Sequence, residues 1–142
     1  MDPALEDVIE QYQRTIEAVL QGNPLPQEHL WSRRDDVTLA NPLGPPARGW
    51  TEVSNALRGA ASQLSDGEML AVEPISAYSS DDLAYTVEIE RTRAKLGGGP
   101  EPATVSLRVT TIFRREEDGW KVVHRHADPI TTPRSAESML DA

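Results

Sequence analysis

The chain has 142 residues, a length that favours one domain and argues against a separate cofactor-binding domain. Its 14 Lys and Arg against 23 Asp and Glu leave a net charge of −9, which argues against general binding to nucleic acid or to anionic membranes, since both require basic side chains to neutralise phosphate. Cysteine is absent, which excludes disulfides, thiolate catalysis and cysteine-ligated metal centres, and no apolar run approaches the roughly 20 residues of a membrane helix.

Residues 1–7 are acidic and lack the apolar core of a secretory signal, so the expectation is a cytoplasmic protein. Leu5, Val8, Ile9, Tyr12, Ile16, Val19 and Leu20 recur at three- and four-residue steps and predict an amphipathic helix. Asp2 caps its start, Pro3 takes the first helical position, and Gly22 and Pro24 stop it. A short helix is expected over 26–33 and a short strand over 36–40. Three prolines and two glycines make 41–49 a loop. Thr51 is read as the cap of a third helix whose apolar face is Val53, Ala56, Leu57, Ala60 and Leu64, ended by Asp66-Gly67.

From Glu68 the apolar period changes from 3.6 to 2. Strands are expected over 68–78, 82–95, 103–115 and 120–128, separated by Ser79-Ser80-Asp81, Gly97-Gly98-Gly99-Pro100 and Glu117-Asp118-Gly119. Helices grouped before a strand meander point to an α+β domain, with helices covering one face of a curved sheet and an apolar pocket between the layers. Leu83, Tyr85, Val87 and Ile89 share one face opposite Thr86, Glu88 and Glu90, and Val105, Leu107, Val109, Thr111 and Phe113 share another. Both faces of these strands are partly apolar, which an antiparallel sheet with one wet face is not. The outer face is therefore expected to be covered by a second copy, making a homodimer.

Three segments carry a family resemblance. Trp31-Ser32-Arg33-Arg34-Asp35-Asp36-Val37-Thr38-Leu39-Ala40-Asn41-Pro42-Leu43-Gly44 is similar to the helix-to-first-strand passage of the nuclear transport factor 2-like superfamily, also called SnoaL-like or ketosteroid-isomerase-like. Arg48-Gly49-Trp50-Thr51-Glu52-Val53 resembles its glycine-initiated third helix. Arg108-Val109-Thr110, Arg114-Arg115 and Asp118-Gly119-Trp120-Lys121-Val122-Val123-His124-Arg125-His126 resemble the closing hairpin of SnoaL-like domains and that of the calcium/calmodulin-dependent kinase association domain. The resemblance spans about residues 4–128. It implies a cone-shaped α+β barrel over 1–130 with a tail over 131–142: three N-terminal helices on a curved, mainly antiparallel sheet, usually as a homodimer. Isomerases, polyketide cyclases, epoxide hydrolases, dehydratases and non-enzymatic binding modules share that fold, so fold does not settle function.

The family's chemistries transfer only in part. The isomerase base position reads as Asn41, and an amide cannot accept a proton at neutral pH. Its tyrosine position falls near Thr15, with Tyr12 one turn away. Epoxide-hydrolase chemistry needs Asp-Arg-Asp around a water; the strands offer Arg91, Arg93 and Arg108 but no Asp between residues 83 and 117. The kinase domain's arginine after the last-strand His-x-His is Ala127 here.

His124 and His126 lie two apart on one strand, hence on one face. His126 is the candidate acid/base or ligand donor; the plainer alternatives are buried, hydrogen-bonded histidines or a subunit contact. A bulge between Trp120 and Ala127 would exchange the residues that enter the pocket. His124, His126 and Asp128 could begin a metal site, but His29 is the only other histidine, and neither metal nor cofactor is expected. Trp31 and Trp50 flank the Pro-rich loop, as core and anchor or as aromatic walls of a pocket mouth. Arg108 could reach a pocket carboxylate or pair across strands with Glu88 or Glu90. Asn41, Tyr12, Trp31, Trp50, Arg108, Thr110 and His124 complete the candidate ligand contacts, and the expected ligand is a small apolar molecule. The alternative reading is a non-catalytic dimerisation or interaction module.

Overall fold

A computed structural model describes residues 1–141; Ala142, the last residue of the 131–142 tail, lies outside the described residues. Helix α1 (Pro3–Leu20) starts at the predicted cap, where Asp2 Oδ1 accepts the Ala4 N–H at 3.0 Å. Asp2 Oδ2 also accepts from Trp120 Nε1 and from Arg115 Nη2, each at 3.0 Å, so the cap ties the first helix to the last hairpin. The helix buries Leu5, Tyr12, Thr15, Ile16 and Leu20. Helix α2 (Leu25–Glu28) is a single turn rather than the expected 26–33. The chain leaves it because Leu30 and Ser32 bond the backbone of Val122 at 2.8 and 2.9 Å, while the Trp31 side chain enters the core. The buried Glu28 carboxylate holds Ser54 and Arg58 and so docks this turn on the third helix.

Strand β1 (Thr38–Ala40) and the two-residue β2 (Ala47–Arg48) pair across the Pro-rich loop. Helix α3 (Trp50–Ser62) is capped by Gly49 at φ 83°, not by Thr51; the turn into the helix needs a left-handed backbone that glycine adopts at little cost. Strand β3 (Leu64–Ser79) begins earlier than expected, and Asp66-Gly67 is an irregularity within it rather than the end of the helix. A Cβ on Gly67 would lie 2.3 Å from that of Leu20, so the strand passes the end of α1 only without a side chain there.

Strands β4 (Leu83–Leu96), β5 (Ala103–Glu116) and β6 (Gly119–Asp128) complete one six-stranded sheet in the order β2-β1-β6-β5-β4-β3. All pairs are antiparallel except β1 with β6. The β4–β5 ladder runs unbroken from Leu83 opposite Arg114 to Ala94 opposite Ala103. Register shifts interrupt β3 in three places, and such bulges bend and twist a strand. The sheet curves around α1 and α3, and the core gathers Leu5, Tyr12, Ile16, Trp31, Leu39, Val53, Leu57, Phe113, Trp120 and Val122 between the layers. Beyond β6 the chain forms only a 3₁₀ turn (Ala136–Met139), with Met139 and Leu140 exposed. Among the described residues no helix is long and apolar enough to cross a membrane.

Candidate ligand-binding site

Parity along β5 decides what faces the helices. Val109, Thr111 and Phe113 are buried, and Phe113 meets the Tyr12 ring edge-on at 5.9 Å. The unbroken ladder carries this parity to β4, where Ala84, Thr86, Glu88, Glu90 and Thr92 stand opposite Phe113, Thr111, Val109, Leu107 and Val105. The polar line of β4 therefore faces inward. Leu83, Tyr85, Val87 and Ile89, continued by Arg91 and Arg93, face outward.

On β6 the alternation breaks once. Ile112 pairs with His124 and Phe113 with Val122, so Val123 is an extra residue. This bulge shifts the inward set from Trp120 and Val122 to Arg125 and Ala127. His124 and His126 are thereby turned to the outer face.

The inward result is a buried ion pair. Arg125 Nη1 and Nη2 donate to the two oxygens of Glu90, each at 2.9 Å, and Nη1 also donates to the Tyr12 hydroxyl at 2.9 Å. Arg125 stands opposite Thr111 and Glu90 opposite Leu107, so the guanidinium reaches diagonally across β5. Glu90 is 2% exposed, Arg125 8% and Tyr12 4%. Burial works against the charge on Arg125, but Glu90 and Tyr12 outweigh it and hold its pKa above the ordinary arginine value. Burial also pushes the Tyr12 phenol up, against the pull of Arg125. Beside the pair, burial raises the Glu88 carboxyl, opposed by the bond it accepts from Gln13 Nε2 at 3.0 Å.

Glu90 and Arg125 border a cavity of about 210 Å³. Helix α1 contributes Ile16, Val19 and Leu20 to its wall, α3 contributes Leu57 and Ala60, and the sheet adds Leu39, Ala94, Leu96, Val105 and Leu107. Asn41, Pro42 and Leu43 stand at the side of the Pro-rich loop. An adjoining recess of about 540 Å³ shares Leu39, Asn41, Leu43 and Leu96 and extends along that loop to Gln63 and Gly97. The wall is aliphatic, with Gln27, Asn41 and Thr92 as neutral polar groups and the ion pair as its only ionisable ones.

The residues singled out in the sequence divide between the two faces. Asn41 lines the cavity and also stabilises its own turn, its Oδ1 accepting the Leu43 N–H at 3.0 Å. Tyr12 stands behind the wall, its hydroxyl accepting from Arg125 Nη1. Trp31 is buried behind the wall, its Nε1 donating to Gln27 Oε1 at 3.4 Å, and Gln27 lines the cavity. Trp50 opens α3 beneath the Arg33 guanidinium, 4.0 Å from its ring centre, and is not part of the wall.

The expectation that His126 reaches into the hollow is corrected by the bulge. Its Nε2 lies 3.1 Å from Asp128 Oδ2 on the outer face. Arg108 also faces outward and pairs with Asp128 at 2.8 Å, not with Glu88 or Glu90. Thr110 stands opposite His126 on the same side. His124 shares a 2.7 Å hydrogen bond between Nδ1 and Thr38 Oγ1. Arg91, on the outer face as well, pairs with Glu73. Among the described residues no three His, Asp or Glu side chains converge as a metal-ligand set.

Glu90 and Arg125 were not among the expected site residues. Their signal lay in a pairing rather than in a motif: once β5 is seated with Val109 and Phe113 inward, an in-register hairpin across Gly97-Gly98-Gly99-Pro100 places Glu90 inside. Arg125 additionally requires the bulge.

Comparison with solved structures places this arrangement among known folds. A nuclear transport factor 2-like superfamily protein from Salmonella enterica serovar Typhimurium is 17% identical, covers 92% of each chain and superposes with a TM-score of 0.75. A ketosteroid isomerase-like protein from Erwinia carotovora atroseptica is 15% identical over 89% of this chain and 94% of its own, with a TM-score of 0.72. A Thiobacillus denitrificans protein named for the calcium/calmodulin-dependent protein kinase type II association domain is 23% identical over 89% and 94%, with a TM-score of 0.70. At these identities the likeness is one of fold. No curated protein matches the chain. A family model described as a SnoaL-like domain matches residues 8–131, from the second turn of α1 to just beyond β6. With most of its length so matched, the chain belongs to the SnoaL-like domain family.

Proposed function

We propose that the protein binds a small, largely apolar molecule in the cavity between α1, α3 and the sheet. The observation that carries this reading is the Glu90–Arg125 pair, buried yet bordering an otherwise aliphatic hollow. A buried ion pair adds little net stability over apolar packing of the same volume, because both charges must be desolvated. Apolar walls with a few convergent polar groups are what a small-molecule site requires. A reaction of the isomerase, cyclase or dehydratase sort in this cavity would have to use Glu90, Arg125 or Asn41, since His126 lies on the other side of the sheet.

The test is thermal melting against steroids, terpenoids and aromatic polyketides. Ligand at 100 times its Kd stabilises the native state by about 2.7 kcal/mol, so a binder raises the midpoint in proportion to the logarithm of its concentration. Ala94→Phe, which fills the cavity, should abolish the shift. No shift with any compound would defeat the reading.

The same reading includes a homodimer formed through the outer sheet face, in a cytoplasmic protein. Ile75, Tyr78, Leu83 and Tyr85 are exposed there, with Tyr78 and Tyr85 stacked at 6.2 Å and Val87 and Ile89 beside them. Contiguous apolar surface of this kind marks an interaction site. Light scattering at micromolar concentration should give twice the chain mass. A dimer combined with a silent ligand panel would favour a pure association module.

A further inference from the structure

We propose that the cavity selects an uncharged, compact ring compound bearing a carbonyl oxygen, which Arg125 receives. This rests on the reading of the cavity as a ligand site and names its ligand class.

The donor inventory comes first. A guanidinium has five N–H groups. Both on Nη1 are committed, one to Glu90 and one to Tyr12, and one on Nη2 goes to Glu90. Nε–H and the second Nη2–H take no acceptor from the described residues. These two point the same way from the planar group, forming a second fork beside the one that Glu90 fills. No fully buried side-chain nitrogen or oxygen among the described residues lacks a partner, so the unpaired Nε borders open space. For this otherwise buried residue, that space is the cavity it lines.

Charge decides what the fork takes. A free fork suits a carboxylate by shape. Here the positive charge is already neutralised by Glu90, and no other ionisable group lines the cavity. A carboxylate would bring an uncompensated negative charge into an aliphatic enclosure, and an ammonium group would meet the free donors with donors of its own. A carbonyl oxygen supplies two lone pairs and no net charge.

Size and wall chemistry set the rest. The cavity of about 210 Å³ exceeds the roughly 150 Å³ that houses benzene in an engineered protein interior, so a one- or two-ring body fits. The wall carries no aromatic side chain, which suits saturated or partly saturated rings as well as flat ones.

Calorimetric titration with one skeleton in three forms tests this: 2-tetralone, tetralin and tetralin-2-carboxylate. The ketone should bind at least tenfold more tightly than the hydrocarbon or the carboxylate. In the double variant Glu90→Leu/Arg125→Met, the ketone's advantage over tetralin should shrink to within twofold. Should that variant not fold, the Arg125 Nε–H nitrogen-15 resonance of the unaltered protein provides a second readout, shifting with 2-tetralone and not with tetralin. Equal affinity for ketone and hydrocarbon, tightest binding of the carboxylate, a ketone preference surviving in the double variant, or an unmoved Nε–H signal would each overturn the carbonyl assignment while leaving the cavity a binding site. Failure of all three compounds to bind would defeat both inferences together.

Discussion

The two faces of the central sheet reverse the usual division of labour. The concave face, against the helices, receives the polar line of β4, including Glu88 and the buried Glu90. The convex face receives the apolar line, Leu83, Tyr85, Val87 and Ile89, together with the outward ion pairs Arg91–Glu73 and Arg108–Asp128. An apolar stripe on a strand thus reports a face that needs covering, and here the cover available within the chain lies on the opposite side. The concave face can hold charge because Arg125 meets both oxygens of Glu90 there and donates a third hydrogen bond to the Tyr12 hydroxyl.

Breaking the concave pair should have the largest effect. Glu90→Ala leaves the Arg125 charge buried without its partner and should cost about 3–5 kcal/mol in urea unfolding, whereas Glu90→Leu/Arg125→Met should recover most of that loss. If the single and double variants are equally destabilised, the pair is not the coupled unit described above. On the convex face, if the proposed homodimer forms there, Tyr85→Asp should weaken it by about 2 kcal/mol, roughly 30-fold in the dimer constant, with unchanged far-ultraviolet circular dichroism. An unaltered mass profile in light scattering would defeat the proposal that this face carries a dimer interface. Tyr12→Phe tests the concave network more gently. It removes the hydroxyl that accepts from Arg125 Nη1 and should cost about 1.5 kcal/mol, the scale of one hydrogen bond to a charged group.

The smallest effect expected is a pH slope from the convex side. Burial, and then the charge of His126, hold the His124 pKa below the ordinary 6.5. The unfolded chain therefore takes up the proton before the folded one does. Stability from this group is complete above about pH 6.5 and declines as pH falls through the lowered folded-state pKa. His124→Gln should flatten the urea midpoint over that window, and identical slopes in the two proteins would show that His124 does not carry it.

Much of the fold was legible from local chemistry. Asp2, Pro3 and Gly22 delimit α1 in the sequence and in the structure, because caps and stops act within a few residues of backbone. The change from helical to alternating period near residue 68 foretold the strand meander, and the triple glycine lies in the turn between β4 and β5. Where a distant partner competes, local signals misled. Thr51 is a good cap residue, yet Gly49 takes that position as the chain turns out of β2. Asp66-Gly67 spells a turn, yet pairing with β4 draws it into a strand that only glycine allows to pass Leu20. The site divides in the same manner: Asn41 came from the resemblance to the family's base position, whereas Glu90 and Arg125 had no such signal.

The sequence by itself determined the termini of α1, the succession of helices before a strand meander and the fact that both sheet faces carry apolar residues, since these follow from composition, caps and periodicity within short windows. Tertiary structure alone decided which parity of each strand faces the helices. A strand's side chains alternate with a period of two, so one extra residue at Val123 exchanges the faces of everything beyond it, sending His126 out and Arg125 in. The free energy that settles this exchange comes from Phe113, Tyr12 and Glu90 on other elements, which the local sequence around β6 does not contain.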